Sequence, residues 1–170
     1  MERSAFVFLL LLWVLQGSPA LAEIETIFSS EGSIKECVLK EVESTTSTLE
    51  LAIHDITSPD MADALLKAKQ RGVKVRVIAD SKQAKMKSSQ ITHLIHQGIM
   101  VKTLKGKEGG VMNHRFAILD GKKVMTGSYD WTEASEKWNY ENIVILTDGE
   151  TVTLYEKEFD QLWREKRVIK

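Results

Sequence analysis

The spacing of hydrophobic positions changes repeatedly along this chain between the period of a helix and the period of a strand. Ile34 and Val38 recur at helical spacing, whereas Leu49, Leu51 and Ile53 alternate with other residues, as in a strand. Strands that alternate with helices are typical of a largely parallel sheet covered by helices. From residue 33 to residue 104 the pattern predicts, in order, a helix over 33–44, a strand over 48–54, a helix over 58–71, a strand over 73–79, a helix over 88–97 and a strand over 99–104.

A second group of strands follows in the last third of the chain. Residues 111–119 are strand-like, Asp120 and Gly121 form a tight-turn signal, and residues 124–126 return as the partner strand. The sequence therefore predicts one α/β domain with a mixed, largely parallel sheet flanked by helices. The remaining predicted elements are a short polar helix over 132–138, a strand over 143–146 and a helix over 151–167.

The N-terminus carries a separate signal. An apolar run over residues 5–15 is too short for the roughly 20 residues that a membrane span needs. Ala20-Leu21-Ala22 supplies the small residues at which a signal peptidase cuts. We therefore predict a signal peptide over 1–22, a domain over 23–170, and a secreted or periplasmic protein. Because Glu2 weakens the positive charge that such signals begin with, an uncleaved membrane anchor is the alternative.

Composition narrows the class of protein. The chain has 170 residues, of which 43% are hydrophobic and 28% charged, with one cysteine, Cys37. These values exclude a disordered chain, a small protein held together by disulfides and a membrane protein with several spans. At this length a single domain can bury a core without metal ions or cross-links.

Charge is unevenly distributed, although 23 Lys and Arg nearly balance 24 Asp and Glu. Residues 81–123 carry nine Lys or Arg and two Asp or Glu, a net charge of about +7, whereas the rest of the domain is acidic. Such a strip predicts a polyanionic partner, nucleic acid or lipid headgroups, because phosphate binding is driven by counterion release. A solvated, lysine-rich surface is the alternative.

Three short stretches carry a resemblance to a known family. They are Met112-Asn113-His114-Arg115-Phe116-Ala117-Ile118-Leu119-Asp120, Gly127-Ser128-Tyr129-Asp130-Trp131-Thr132 and Asn139-Tyr140-Glu141-Asn142. Their residue types and spacing resemble the phospholipase D superfamily, whose pattern is H-x-K-x-x-x-x-D, then G-S-x-N, then an acidic residue in an E-N-x-x-x-I strand. More narrowly, the chain looks like the small secreted bacterial endonucleases that carry one such motif.

The chain departs from that pattern at three positions. Aligning Asp120 with the motif aspartate puts Asn113 at the histidine, Arg115 at the lysine and Asp130 at the asparagine of G-S-x-N. Neighbouring side chains of a strand point to opposite faces, so Asn113 and Arg115 share a face that His114 does not. His114 is therefore no ready substitute for the missing histidine.

The resemblance implies a specific reaction. A histidine nitrogen attacks phosphorus to give a phosphohistidine, a second histidine protonates the leaving oxygen, and neither a metal ion nor another cofactor takes part. Imidazole suits both tasks because it changes protonation state near neutral pH, and an asparagine amide performs neither. We therefore predict a folded, substrate-binding and chemically inactive protein, in which Asn113 is either an engineered substitution or a natural one.

The resemblance also assigns roles to the other motif positions. Asn113, Arg115, Asp120 and Glu141 occupy catalytic positions, with Glu141 orienting residue 113. Arg115 and Ser128 are predicted to bind the substrate phosphate, Arg115 through a bidentate fork, with Asp130 beside them. Asp120 has a structural alternative, because an aspartate at the start of a turn caps backbone N–H groups.

One motif per chain predicts a homodimer that shares one active site, because the implied chemistry needs two motifs and a two-fold interface brings the same patch of both chains together. Trp131 and Trp138 line either that interface, the substrate groove or the core. The main functional prediction is an endonuclease that cleaves DNA or RNA. The alternatives are a phospholipase D that acts on phospholipid headgroups and a non-catalytic protein that binds phosphate or nucleic acid, with a membrane partner only if the N-terminal segment stays attached.

Overall fold

A computed structural model describes residues 23–165, so the predicted signal peptide lies outside the described residues. No helix of this part of the chain is long and apolar enough to cross a membrane. The strands are β1 (Ile24–Phe28), β2 (Thr48–Ile53), β3 (Lys74–Asp80), β4 (Met100–Leu104), β5 (Arg115–Leu119), β6 (Lys123–Gly127) and β7 (Asn142–Leu146). The helices are α1 (Ile34–Ser44), α2 (Pro59–Gln70), α3 (Ile91–His96), α4 (Glu133–Lys137) and α5 (Gly149–Arg164).

Local sequence signals explain most of these boundaries. Ser33 caps α1, its Oγ accepting a hydrogen bond from the N–H of Glu36, and Asp148 caps α5 in the same way through Thr151. Gly72 follows α2 with a φ of +95°, the left-handed conformation that ends many helices. The sequence pattern missed β1 altogether and placed the start of β5 four residues too early.

The seven strands form one sheet in the order β1-β7-β6-β5-β2-β3-β4. The predicted mixed α/β sheet flanked by helices is confirmed, but the expectation that it is largely parallel is wrong. Strands β2, β3 and β4 run parallel to one another. The other four strands, β5, β6, β7 and β1, are joined to the sheet by antiparallel pairing. For β5 and β6 the difference arises because the Asp120-Gly121 turn joins them as a hairpin, and a tight turn can connect only antiparallel strands.

Both faces of the sheet are buried. Leu49, Leu51 and Ile53 of β2 point to the face covered by α1 and α2, and Phe116 and Ile118 of β5 point to the face covered by α5. Phe159 of α5 is completely buried against this second face. The alternation of buried side chains along β5 therefore assigns Arg115 to the α1 and α2 side of the sheet and His114 to the α5 side.

The β5–β6 hairpin is closed by Asp120 and Gly121, which have φ values of +55° and +61°. Two successive residues with positive φ form the turn that matches the twist of paired strands. The Asp120 carboxylate accepts hydrogen bonds from the backbone N–H groups of Thr46, Ser47 and Thr48, at 2.7 to 3.2 Å. These bonds join the turn to the start of β2 and hold the pKa of Asp120 well below its usual range.

We expect Asp120→Asn to lower the free energy of unfolding by about 2 kcal/mol at pH 7, because the variant loses charge-assisted hydrogen bonds to three backbone donors. A depressed pKa stabilises the fold above the unfolded value of about 3.9, and this contribution disappears as the pH falls below it. The variant should therefore lose less stability between pH 7 and pH 3 than the parent. Urea unfolding at both pH values measures this, with exposed Asp63→Asn as control; equal stability of Asp120→Asn and parent would contradict it.

Candidate active site

The candidate residues meet at one edge of the sheet. The parallel strands β2, β3 and β4 end there, and β5, which is antiparallel to β2, begins there with Ile53 opposite Arg115. The same edge holds the end of β6 and the start of β7, where Gly127 pairs with Ile143. The start of β5, the end of β6 and the start of β7 thus bring Asn113, Arg115, Ser128, Asp130 and Glu141 to one side of the molecule.

Arg115 is held by an ion pair with Asp130. Its Nε and Nη2 both lie 2.7 Å from the same carboxylate oxygen, Oδ2 of Asp130, and both side chains are mostly buried. The third guanidinium nitrogen, Nη1, lies 3.4 Å from the carbonyl oxygen of Asn113. In this structure Asp130 therefore occupies two of the guanidinium nitrogens of Arg115, and the bidentate contact of Arg115 with phosphate stays a prediction.

The end of β2 fixes the position of Asp130. The backbone of Ile56 bridges that of Trp131, and Trp131 N–H donates to the Asp55 carbonyl oxygen at 3.2 Å. This pairing lets the Asp55 N–H donate to Oδ1 of Asp130 at 3.1 Å. Asp130 is therefore satisfied on both carboxylate oxygens, by Arg115 and by the backbone of Asp55.

The carboxylate of Asp55 lies in a less favourable place. Its Oδ1 is buried without a hydrogen-bond partner among the residues that the structure describes. Burial first, and then the nearby negative charge of Asp130, raises the pKa of Asp55 above its ordinary value. Nothing in the local sequence around Asp55 reveals that Asp130 faces it.

Ser128 and Glu141 form a second polar pair beside Arg115. The Ser128 hydroxyl donates to Oε2 of the buried Glu141 and accepts from the Asn142 N–H at 3.1 Å. Oε1 of Glu141 accepts from the side-chain amide of Asn139 at 3.0 Å. Glu141 is thus fully engaged within the chain, and it orients Ser128 directly.

Gly127 explains why a glycine precedes Ser128. A Cβ at Gly127 would lie 2.1 Å from the carbonyl oxygen of Asn142 on β7. Any side chain there would push β6 away from β7. The close approach of the two strands brings the Ser128 hydroxyl within reach of Glu141 and Asn142.

Three residues bear on whether an imidazole reaches the site, and their surroundings differ. Asn113 is exposed at the sheet edge that carries the candidate site, at the position of a histidine in the family pattern. His114 points to the α5 face, as predicted, where its Nε2 lies 3.2 Å from Glu158 and its ring packs edge-on against Phe116. His54 is half-buried, with Nδ1 3.1 Å from the Met112 carbonyl oxygen.

Asp120 lies outside this cluster. It follows β5 at the opposite edge of the sheet, and five residues of strand separate it from Arg115 by roughly 17 Å, at about 3.4 Å per residue. The structure therefore places Asp120 in the turn, bonded to backbone N–H groups and apart from the other motif residues, and its catalytic assignment stays a prediction. Motif spacing alone could not separate the two roles, because spacing does not record which end of a strand faces the substrate.

The basic strip of residues 81–123 is divided by the fold. Lys122 and Lys123 lie at the opposite edge, where Lys123 pairs with Glu41, and Lys102 donates to carbonyl oxygens at the end of α5. The remaining five lysines follow β3 and β4 at the site edge, at positions 82, 85, 87, 105 and 107, and all are exposed. About half of the predicted strip therefore flanks the candidate site.

The two tryptophans near the motif have different roles. Trp131 is buried in the core and contributes its backbone to the bridge with Ile56. Trp138 is 75% exposed and Tyr140, two residues later, is 95% exposed, both between Asp130 and β7. Core packing is thus the role of Trp131, whereas Trp138 is available to a partner.

Comparison with known proteins gives one family. The model for cardiolipin synthase, PLD-like domain, matches residues 38–163. Mitochondrial cardiolipin hydrolase of Xenopus laevis is 42% identical over 118 residues, which cover 69% of this chain and 55% of that protein. The corresponding protein of Mus musculus is 38% identical over 136 residues, covering 80% and 60% respectively. The chain thus spans little more than half the length of these curated relatives.

Solved structures agree in fold. A phospholipase D family member, Nuc, from Salmonella typhimurium superposes with a TM-score of 0.76 at 26% identity, covering 84% of this chain and 94% of that one. NucT from Helicobacter pylori superposes with a TM-score of 0.72 at 25% identity, covering 82% and 94%. The predicted fold is therefore confirmed over nearly the whole described domain.

These comparisons correct the predicted location. The sequence indicated a secreted or periplasmic protein, but the curated relatives named above are mitochondrial cardiolipin hydrolases. The prediction of a secreted protein is therefore wrong. An apolar N-terminal run followed by small residues does not by itself specify which membrane system receives a protein.

We expect Asp55→Asn to raise the free energy of unfolding by about 1 kcal/mol at pH 7, because it removes a charge that burial and Asp130 disfavour. A raised folded pKa means that the protonated carboxyl favours the fold, and that this contribution is lost as the pH rises through the raised pKa. The gain should therefore shrink toward pH 4. Urea unfolding at pH 4 and pH 7 measures this, with exposed Asp63→Asn as control; a less stable variant at pH 7 would contradict it.

Proposed function

We propose that this chain, which belongs to the phospholipase D superfamily of phosphodiesterases, recognises the phosphodiester of a phospholipid of the cardiolipin class. The observation that carries the proposal is the convergence of Asn113, Arg115, Ser128 and Glu141 at one sheet edge, at the motif positions of that superfamily. The names of the curated relatives favour a lipid over a nucleic acid as the substrate. We also infer a mitochondrial location, in line with those relatives.

In the proposed site, Ser128 and the free edge of the Arg115 guanidinium face the phosphate oxygens. Ser128 is exposed and already oriented by Glu141, and Nη1 of Arg115 is engaged only by a long contact to the Asn113 carbonyl. The Asn113 amide adds an uncharged donor at the entrance. Nη1 of Arg115 and the Asn113 amide provide hydrogen bonds to a diester, and Ser128 adds one when its hydroxyl proton turns from Glu141 to the phosphate. Asp130 cancels most of the positive charge that normally accompanies such binding.

We propose further that the chain binds this diester without cleaving it at an appreciable rate. In the implied reaction a histidine nitrogen forms a bond to phosphorus while the bond from phosphorus to the leaving alcohol breaks, and a second imidazole protonates that alcohol. The amide nitrogen of Asn113 has no lone pair available for attack. Neither His114, which faces α5, nor His54, which contacts the Met112 carbonyl, occupies the position of Asn113.

An endonuclease is the second candidate function. It is favoured by the five exposed lysines at the site edge and by the superposition on Nuc and NucT over 94% of each of those chains. A phosphodiester is common to both substrates, so the site residues do not distinguish them. The distinction depends on the surface around the site.

We propose that the chain functions as a homodimer with the two site edges facing each other. Trp138 and Tyr140 present large apolar surfaces beside Ser128 and Glu141, and exposed aromatic residues of this kind are enriched in protein interfaces. A two-fold axis through this region brings residue 113 of both chains together. The partner then supplies the second set of motif residues.

Restoring the imidazole tests the catalytic proposal. We expect Asn113→His to raise EDTA-resistant hydrolysis of cardiolipin in vesicles, and of bis(p-nitrophenyl) phosphate, at least about 100-fold over the parent chain. Adding Asp130→Asn should raise it further, because Arg115 is then free to bind the phosphate. Asn113→Gln is the matched control and should stay at the parent's level.

Two results would contradict this scheme. A parent chain as active as Asn113→His would show that another group performs the chemistry, and His54→Ala and His114→Ala would then identify it. Hydrolysis of single- or double-stranded DNA or RNA by Asn113→His, with cardiolipin untouched, would favour the endonuclease instead.

The dimer is tested by its interface residues. We expect the parent chain to have the mass of two chains by light scattering at micromolar concentration, and Trp138→Arg with Tyr140→Arg to have the mass of one, because buried arginines would face each other across the axis. Leu154→Arg is the control, since Leu154 is also exposed but lies on α5, which carries neither aromatic residue of the proposed interface. A single-chain mass for the parent would rule the shared site out.

A further inference from the structure

Two loops stand side by side next to the candidate site. Residues 81–90 follow β3 and residues 105–114 follow β4, and the Ser81 N–H donates to the Leu104 carbonyl oxygen at 2.8 Å. The second loop is folded back on itself, because the backbone of Lys105 bridges that of Val111. The second loop leads directly to Asn113.

A buried carboxylate fastens the two loops to each other. Asp80, the last residue of β3, is 1% exposed. Its Oδ1 accepts from the N–H groups of Lys82 and Gln83, at 2.8 and 3.0 Å, and its Oδ2 accepts from the Met112 N–H at 3.0 Å. The surface that the loops form is therefore held in one arrangement before any ligand arrives. Sequence reasoning did not single out Asp80, although a charged residue at the end of a buried strand was the available signal.

The surface is strongly basic. Its five lysines are exposed, and none of them forms an ion pair or a side-chain hydrogen bond with another described residue. Glu108 is the one acidic side chain within residues 81–90 and 105–114, so the two loops have a net charge of about +4 before Arg115 is reached. Free ammonium groups held on one rigid surface attract a surface of phosphates.

The same surface exposes aliphatic side chains between the charges. Met86 is 54% exposed and lies between Lys85 and Lys87 in sequence, and Val111 is 48% exposed where it bridges Lys105 at the base of the second loop. Apolar side chains flanked by lysines match the boundary between lipid headgroups and acyl chains. Proteins that hold single-stranded nucleic acid instead present aromatic rings on which bases stack, and neither loop carries a Phe, Tyr or Trp.

We propose that the loops of residues 81–90 and 105–114 dock the protein onto the surface of an anionic phospholipid bilayer. The lysines contact headgroup phosphates, and Met86 and Val111 enter the interface. Because Val111 is two residues from Asn113, docking presents the candidate site to the headgroup layer. The inference rests on the proposed function, which it deepens by naming the surface on which the diester is met.

Vesicle flotation of the full chain tests the proposal. The readout is the affinity for phosphatidylcholine vesicles that contain cardiolipin relative to pure phosphatidylcholine vesicles, so that any contribution of the apolar N-terminal run cancels. We expect Lys85→Glu with Lys87→Glu to lower this ratio at least about 30-fold, since each lysine near an anionic surface contributes roughly fivefold. Met86→Ser should weaken binding to the anionic vesicles without changing its salt dependence, because it removes apolar contact and no charge.

The matched control reverses two lysines at the opposite edge, Lys74→Glu with Lys122→Glu, and should leave the ratio unchanged. An unchanged ratio in Lys85→Glu with Lys87→Glu would overturn the proposal. So would an equal loss in both pairs, which indicates net charge rather than a surface. A loss of affinity for a single-stranded oligonucleotide with vesicle binding intact would assign the loops to nucleic acid instead.

A soluble substrate separates this proposal from the proposed function. In the Asn113→His background, Lys85→Glu with Lys87→Glu should leave hydrolysis of bis(p-nitrophenyl) phosphate unchanged while lowering hydrolysis of vesicle cardiolipin. Inactivity of Asn113→His on both substrates, with vesicle docking still lost in the lysine variant, would count against the function and leave the docking surface standing.

Discussion

The antiparallel pairing of β5 with β2 decides where every candidate residue lies. Its register sets Ile53 against Arg115 at one end and Leu49 against Leu119 at the other. The first pair brings Arg115 to the carboxyl end of β2, where the backbone of Asp55 and Ile56 positions Asp130 and Trp131. The second pair brings Asp120 to the amino end of β2, where it binds Thr46, Ser47 and Thr48. One register thus places the candidate site at one end of the β2–β5 pair and the Asp120 turn at the other. A shift of this register by one residue would exchange the side chains on the two faces of β5.

The Arg115–Asp130 pair gives two of the three departures from the family pattern a common physical meaning. An arginine at the lysine position and an aspartate at the asparagine position satisfy each other, and the loss of either partner would leave a mostly buried charge uncompensated. A single engineered change at residue 113 does not account for a matched pair at two other positions. We infer a site that has been rearranged as a whole, in which Arg115 and Asp130 balance each other's charge while the hydroxyl of Ser128 stays oriented by Glu141.

Charge at the site edge is therefore divided between two layers. The inner layer of Arg115, Asp130, Asp55 and Glu141 is neutralised or negative, and the outer layer of loop lysines is positive and unpaired within the described chain. Asp80 connects the layers, because its carboxylate holds both the lysine loop after β3 and the segment that carries Asn113. The outer lysines thus attract an anionic partner, whereas the inner residues recognise one diester. Salt weakens the attraction by the exposed lysines more than it weakens contacts of the buried residues.

Local sequence determined much of this protein. Hydrophobic periodicity, the Ser33 cap and the glycine after α2 predicted most of the elements, because each depends on residues close in the chain. Motif spacing predicted the family, the phosphodiester chemistry and the opposite orientation of Asn113 and His114, since alternation along a strand is a local rule. Only the tertiary structure decided that most neighbouring strands pair antiparallel and that Asp120 lies at the end of the sheet away from the candidate site. It alone also decided that Asp130 occupies the guanidinium of Arg115 and that five of the nine basic residues of 81–123 flank the site. Those outcomes depend on which strand lies beside which, and contacts such as Asp55 with Asp130, 75 residues apart, leave no trace in either local sequence.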